Sequence, residues 1–314
     1  MHATLRQRSR SARAARRGHP GGRGSALLSL VLATLVLAAG PAAAQEVLPL
    51  PALLARTHVH GLDFDPAQPG RLWIATHHGF FVVGQDGGAR LLSNHRDDLM
   101  GFTPHPTDAK RLYASGHPAG GGNLGVIVSD DGGRTWQPLS PGVGGPVDFH
   151  QLDISRADPN VLYGVYGTLQ VSRDRGRTWH AVGERLDNAL DLAASAREAD
   201  TLYLATASGL RVSRDGGRTW TPAHPAREPA TLASMQADGT LYAFVVGVGL
   251  LRAREPALEW EVLSNDFGKR ALMHLAADPA NPRRLVAATH VGELVTSQDG
   301  GRTWALLARP DRGR

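Results

Sequence analysis

One eight-residue phrase returns four times along the chain, and its spacing restricts the fold more than any other feature. The copies are SDDGGRTW from Ser129, SRDRGRTW from Ser172, SRDGGRTW from Ser213 and SQDGGRTW from Ser297, all fitting S-x-D-x-G-x-T-W. Their tryptophans, Trp136, Trp179, Trp220 and Trp304, stand 43, 41 and 84 residues apart. The last gap is two periods, and Trp260 falls inside it, 40 residues after Trp220. A repeat of about 40 residues is the size of one four-stranded propeller blade.

The phrase has the chemistry of a hairpin turn. Asp131, Asp174, Asp215 and Asp299 can accept backbone N–H bonds across it, while Gly133, Gly176, Gly217 and Gly301 supply the positive φ that a tight turn needs. Thr and Trp then open the returning strand, where both suit a half-buried sheet surface. The indole can lie between neighbouring sheets and lock one blade to the next. The phrase resembles the Asp-box, or BNR, repeat of sialidases, sortilin-type receptors and photosystem assembly propellers. That resemblance implies a propeller, with the box as a structural turn away from the active face.

A second landmark gives the register. An apolar residue followed after ten positions by a leucine and an aromatic or apolar residue recurs as Leu62/Leu72-Trp73, Phe102/Leu112-Tyr113, Leu152/Leu162-Tyr163, Leu192/Leu202-Tyr203 and Leu275/Leu285-Val286. Leu241-Tyr242 is the sixth, with an indistinct preceding strand. Each pair starts a second strand, and turn residues such as Asp65-Pro66, Asp158-Pro159 and Asp278-Pro279 separate it from the first. Worn boxes stand at 84–88 and 252–260. The fold expected is all-β: a six-bladed propeller of four-stranded antiparallel blades over residues 57–314. Residues 45–56 are left over, to pair with the last blade or run over one face.

Residues 1–44 read as a secretory signal peptide. Seven arginines (Arg6 to Arg23) precede an apolar run from Ala26 to Ala39, and Ala42-Ala43-Ala44 offers an A-x-A cleavage site after Ala44. The run is short of the roughly 20 residues that a membrane span needs. The expectation is a periplasmic or secreted protein with no stable membrane insertion after cleavage. The whole chain has 34 basic and 29 acidic residues; without the leader's seven arginines the balance is 27 against 29, a formal charge of −2. That balance argues against nucleic acid as a partner. With no cysteine, an exported chain must draw its stability from packing.

Aligning the blades on the leucine landmark identifies one face. Two positions before the first landmark stand His60, Met100, His150, Leu190 and Met273; five after the second stand His77, His117, Gly167, Ala207, Val246 and His290. The start of the first strand and the end of the second meet on the face opposite the boxes. His60, His77, His117, His150, His290, Met100 and Met273 therefore converge on one sector of that face, with His58, His78 and His274 adjacent. Imidazole with thioether suits copper, and histidines alone satisfy zinc. The same placement serves a packed, hydrogen-bonded channel lining, as Leu190 at the shared position suggests, or histidine catalysis.

An enzymatic reading of another class would be a sialidase-like glycoside hydrolase acting on extracytoplasmic glycans. The region where sialidases carry Arg-Ile-Pro reads THVHGLDFDP here, and Arg134, Arg177, Arg218 and Arg302 sit on the box face, wrong for an arginine triad. A carboxylate pair could be drawn from Asp97, Asp98, Asp148, Asp187 and Asp191 near the mouth. The HVHGL, THHG and LMGFTPHP segments resemble a group of exported bacterial Asp-box propellers described as glycosyl hydrolase-like. The resemblance implies the fold strongly and hydrolysis weakly. The leading expectation is a non-catalytic module binding a small ligand, glycan or protein at the histidine face. An assembly scaffold like the photosystem propellers is a further alternative.

Overall fold

In the computed structural model, which describes residues 47–311, each leucine landmark lies in the second strand of an antiparallel sheet, and Leu72, Leu112, Leu162 and Leu202 begin theirs. The expected leader lies outside those residues. Blade one is built from Val59–Phe64, Leu72–Thr76, Gly79–Val83 and Gly88–Leu91, and blade two from Asp98–Pro104, Leu112–His117, Val126–Ser129 and Gln137–Ser140. Blades three to six repeat the pattern from inner strands Gln151–Ile154, Ala189–Ala194, Ala230–Met235 and Leu272–Asp278. Six four-stranded blades form a propeller ring, as the period requires. Among the described residues no helix is long and apolar enough to cross a membrane.

The leftover segment behaves differently from expectation. Val47–Pro49 pairs antiparallel with Gly88–Leu91, the outer strand of blade one rather than of the last blade. The short helix Leu50–Leu54 follows, started by proline and burying Leu50, Leu53 and Leu54. Those leucines join one apolar cluster with Phe64, Ile74 and Phe81 of blade one and Val286, Ala288 and Leu294 of blade six. The Asp311 N–H donates to the Pro51 carbonyl at 3.1 Å, which brings the C-terminal end to the same helix. The helix therefore covers the junction where the ring closes.

There is no single core. Six apolar clusters fill six blade junctions, because a blade can bury its faces only against its neighbours. The box tryptophans serve these junctions. Trp179 of blade three donates from Nε1 to Ser140 Oγ of blade two at 3.0 Å, and Trp136 of blade two meets Phe80 of blade one edge-on at 5.7 Å. Trp260, in the worn fifth box, donates to the Ala223 carbonyl of blade four at 2.8 Å.

The box turns are held by their carboxylates. Asp215 Oδ1 accepts the N–H groups of Arg218 and Thr219 at 3.0 and 2.9 Å, and Oδ2 accepts the Thr219 hydroxyl at 2.6 Å. The Thr219 hydroxyl, then its N–H and the Ser213 hydroxyl, hold the Asp215 carboxyl well below the usual carboxylate range. In Asp174 burial pushes the other way, but bonds from Thr178, Ser172 and Arg177 outweigh it and pull the value to about 2. A depressed folded-state pKa gives stability that is present above about pH 4 and lost as pH falls through the folded value. Asp215→Asn is expected to lower the unfolding midpoint at neutral pH and to flatten its fall between about pH 4 and 2. Parallel pH curves for variant and wild type would refute this linkage.

One box departs from the others at its left-handed position. Gly132, Gly216 and Gly300 have φ of 75°, 72° and 74°, and Arg175 adopts 63° at the equivalent place. A side chain there costs roughly 1–2 kcal/mol, against one exposed bond from Arg175 Nε to Asn160 Oδ1 at 2.8 Å. Arg175→Gly is expected to raise the melting temperature by about 2 °C. An unchanged or lower midpoint would show that the turn carries no such strain.

Candidate functional site

The rim position read from the sequence is a β-bulge. In blades one, four, five and six the residue left unpaired in the inner strand is His60, Leu190, Thr231 and Met273, and in blade two Met100 and Gly101 share the bulge. A bulge turns its extra side chain out of the ladder, which is how these residues reach the mouth. His150 stands just ahead of the inner strand of blade three. Thr231 escaped the sequence register because its hairpin is shorter: five residues separate Met235 from Leu241, where seven separate Ile154 from Leu162.

Two groups of potential ligands form on that face, each across a blade junction. The first is His60 and His77 of blade one with Asp98 of blade two; the second is His117 of blade two with Asp148 and His150 beside blade three. The carboxylates stand two residues before the rim positions Met100 and His150. That shared offset is readable in the sequence, although on sequence alone Asp98 and Asp148 suggest a hydrolytic carboxylate pair and not ligands. Met100 is buried, and Met273 lines a groove with His58, His60, His77, His274 and His290. His290 accepts the Ala271 N–H at Nδ1 at 3.0 Å.

In the first group Asp98 Oδ2 lies 2.5 Å from His77 Nδ1, and His60 Nε2 lies 3.1 Å from both nitrogens of His77. An approach equidistant from two ring nitrogens aligns with neither, so it makes a poor hydrogen bond. Asp98 Oδ1 is buried without a hydrogen bond, 3.8 Å from His60 Nε2. Burial, then the nearby His77, His274, His150 and His58, lower the His60 pKa to about 3. Gly116 makes this placement possible. Its φ is 145°, and a Cβ there would stand 1.9 Å from the Asp98 carbonyl oxygen.

The groove between blades six and one has a volume of ≈ 800 Å³ and reaches His60 and His77. The channel below is narrower, at ≈ 100 Å³, and carries Asp63, Asp153, Asp191 and Arg156. Burial raises Asp191 to about 8, against N–H bonds from Ala233 and Leu192. Asp63 rises to about 6, also through burial.

The repeated boxes and the six sheets agree with each other: each box closes the outer hairpin of a blade. A profile of the BNR/Asp-box repeat matches residues 127–138, the box of blade two. The chain is a β-propeller with Asp-box turns. Among solved structures it is similar to the GH74 xyloglucanase from Xanthomonas campestris, with 20% identity and a TM-score of 0.53 over 80% of this chain and 45% of that one. A GH74 enzyme from Niastella koreensis gives 17% identity and 0.58 over 80% and 45%, and YCF48 bound to D1 peptide gives 18% and 0.53 over 83% and 84%. The Asp-box propeller thus spans less than half the length of the GH74 chains it matches. At these identities the likeness is one of fold. No curated protein sequence matches the chain.

Gly116→Ala is expected to cost about 2–4 kcal/mol of stability in urea unfolding, because the Asp98 backbone must move to admit the methyl group. A cost below about 0.5 kcal/mol would show that the strand has room to spare.

Proposed function

We propose that this propeller is an exported, non-catalytic binding module that holds a divalent metal ion on His60, His77 and Asp98 and presents it to a ligand in the groove between blades six and one. The single observation that carries the reading is the 3.1 Å separation of the two imidazoles beside a buried carboxylate oxygen without a partner. Ligand nitrogens about 2.0–2.1 Å from a tetrahedral ion lie about 3.3 Å apart. Asp98 Oδ2 orients His77 through Nδ1, leaving His77 Nε2, His60 Nε2 and Asp98 Oδ1 as donors, an arrangement in which a carboxylate commonly fixes a metal-binding imidazole. Two nitrogens and an oxygen favour zinc or copper(II). Three protein donors leave a position for a donor atom of a small ligand, glycan or protein segment, and the groove volume suits such an occupant.

The sugar-hydrolase reading has less support from the same geometry. Asp98 and Asp148 are each engaged by imidazoles, and the carboxyl groups raised by burial face a channel well below the about 300 Å³ at which ligand pockets begin.

Tag-free protein, stripped with chelator and equilibrated with Zn²⁺ or Cu²⁺, is expected to retain an ion that His60→Ala/His77→Ala loses, read by mass spectrometry of the metal after desalting. Saturation at 100 times the dissociation constant is expected to add about 2.7 kcal/mol to stability. Equal metal content in the variant and wild type would sink the proposal.

A further inference from the structure

We infer that the second group, His117, Asp148 and His150, is a separate metal site at the junction of blades two and three, independent of the first. The sequence register places all the rim histidines in one sector; the structure divides four of them, His60, His77, His117 and His150, between two carboxylates.

The donor arithmetic carries the inference. Asp148 is nearly enclosed, with 7% of its side chain exposed, and its Oδ1 is buried without a hydrogen-bond partner. Its Oδ2 faces two imidazole nitrogens, His117 Nε2 at 2.9 Å and His150 Nε2 at 2.7 Å. His117 Nδ1 lies 2.9 Å from the Gly122 carbonyl oxygen, which can only accept, so Nδ1 carries the proton. In the neutral ring Nε2 then presents a lone pair toward a carboxylate oxygen. Two acceptors at 2.9 Å repel unless a cation lies between them. His150 can satisfy its own contact as an Nε2–H donor, but His117 cannot do so without becoming a cation.

A divalent ion resolves both mismatches together. It takes the His117 lone pair, the His150 lone pair and the partnerless Asp148 oxygen, and the Gly122 carbonyl becomes the outer partner that fixes the tautomer of a ligating histidine. The alternative, an imidazolium sharing its charge with Asp148, leaves Asp148 Oδ1 unpartnered. Both rings remain accessible, with 41% and 51% of their side chains exposed, so an ion can enter from solvent. The set of two imidazoles and one carboxylate suits zinc or copper(II), with a position left for water or a ligand atom.

The test uses the full mature chain carrying His60→Ala/His77→Ala, so the first group cannot contribute. After chelator treatment and equilibration with Zn²⁺, this variant is expected to retain one ion per chain, and the further change His117→Gln or Asp148→Asn to weaken binding at least tenfold in calorimetric titration. Nitrogen-15 NMR of the metal-free variant is expected to show His117 protonated at Nδ1, with its Nε2 resonance shifting on Zn²⁺ addition. The inference is overturned if His60→Ala/His77→Ala binds no zinc while wild type binds one ion, which leaves the first site standing. It is equally overturned if zinc bound by that variant is indifferent to both further changes. Circular dichroism on each variant separates loss of ligands from loss of fold.

Discussion

The propeller depends on inner-strand side chains that reach one blade over. Asp153 of blade three accepts the Thr103 hydroxyl of blade two at 2.9 Å and the Ala194 N–H of blade four at 2.9 Å. Asp191 of blade four accepts the Ala233 N–H of blade five, and Thr231 of blade five donates to the Leu272 carbonyl of blade six. His274 of blade six bonds the backbone of Val59 in blade one. These bonds are made where water is scarce, so each group that found no partner would cost more than a surface bond gains. The narrow channel follows from this stitching. Polar residues that would ordinarily mark an active site are spent on holding the strands in a ring.

At the mouth the same logic changes character. The junctions of blades one and two and of blades two and three are bridged there by histidine and aspartate, and the bridges leave carboxylate oxygens unmatched. A purely structural stitch would match every oxygen, as Asp153 does. The mismatch at Asp98 and Asp148 is the observation on which both proposed sites rest.

Much of the fold was legible because an Asp-box turn is a local code: Ser, Asp, Gly and Thr at fixed offsets make bonds within five residues, so the pattern survives in sequence. The blade count followed from the leucine register, which is equally local. The pairing of Val47–Pro49 was not legible, since its partner Gly88–Leu91 lies forty residues away and neither strand has a distinctive face. The rim histidines were visible at equal offsets, yet their grouping was not. Which carboxylate each ring meets depends on bulges such as that at Met100 and Gly101, and on Gly116 letting two strands approach. The shortened hairpin of blade five hid Thr231 for the same reason: counting along the chain assumes that every turn has one length.

The helix Leu50–Leu54 has a consequence beyond covering apolar surface. Every other junction is bridged by continuous chain running from one blade into the next, whereas among the described residues blades six and one meet through packing, the Arg284 guanidinium over the Phe64 ring, the His274 contact and this small clasp. The histidine-lined groove lies along that one seam. An occupant gripping both banks would act as a rivet across the circle's opening, so resistance to heat and occupancy of the groove would rise together.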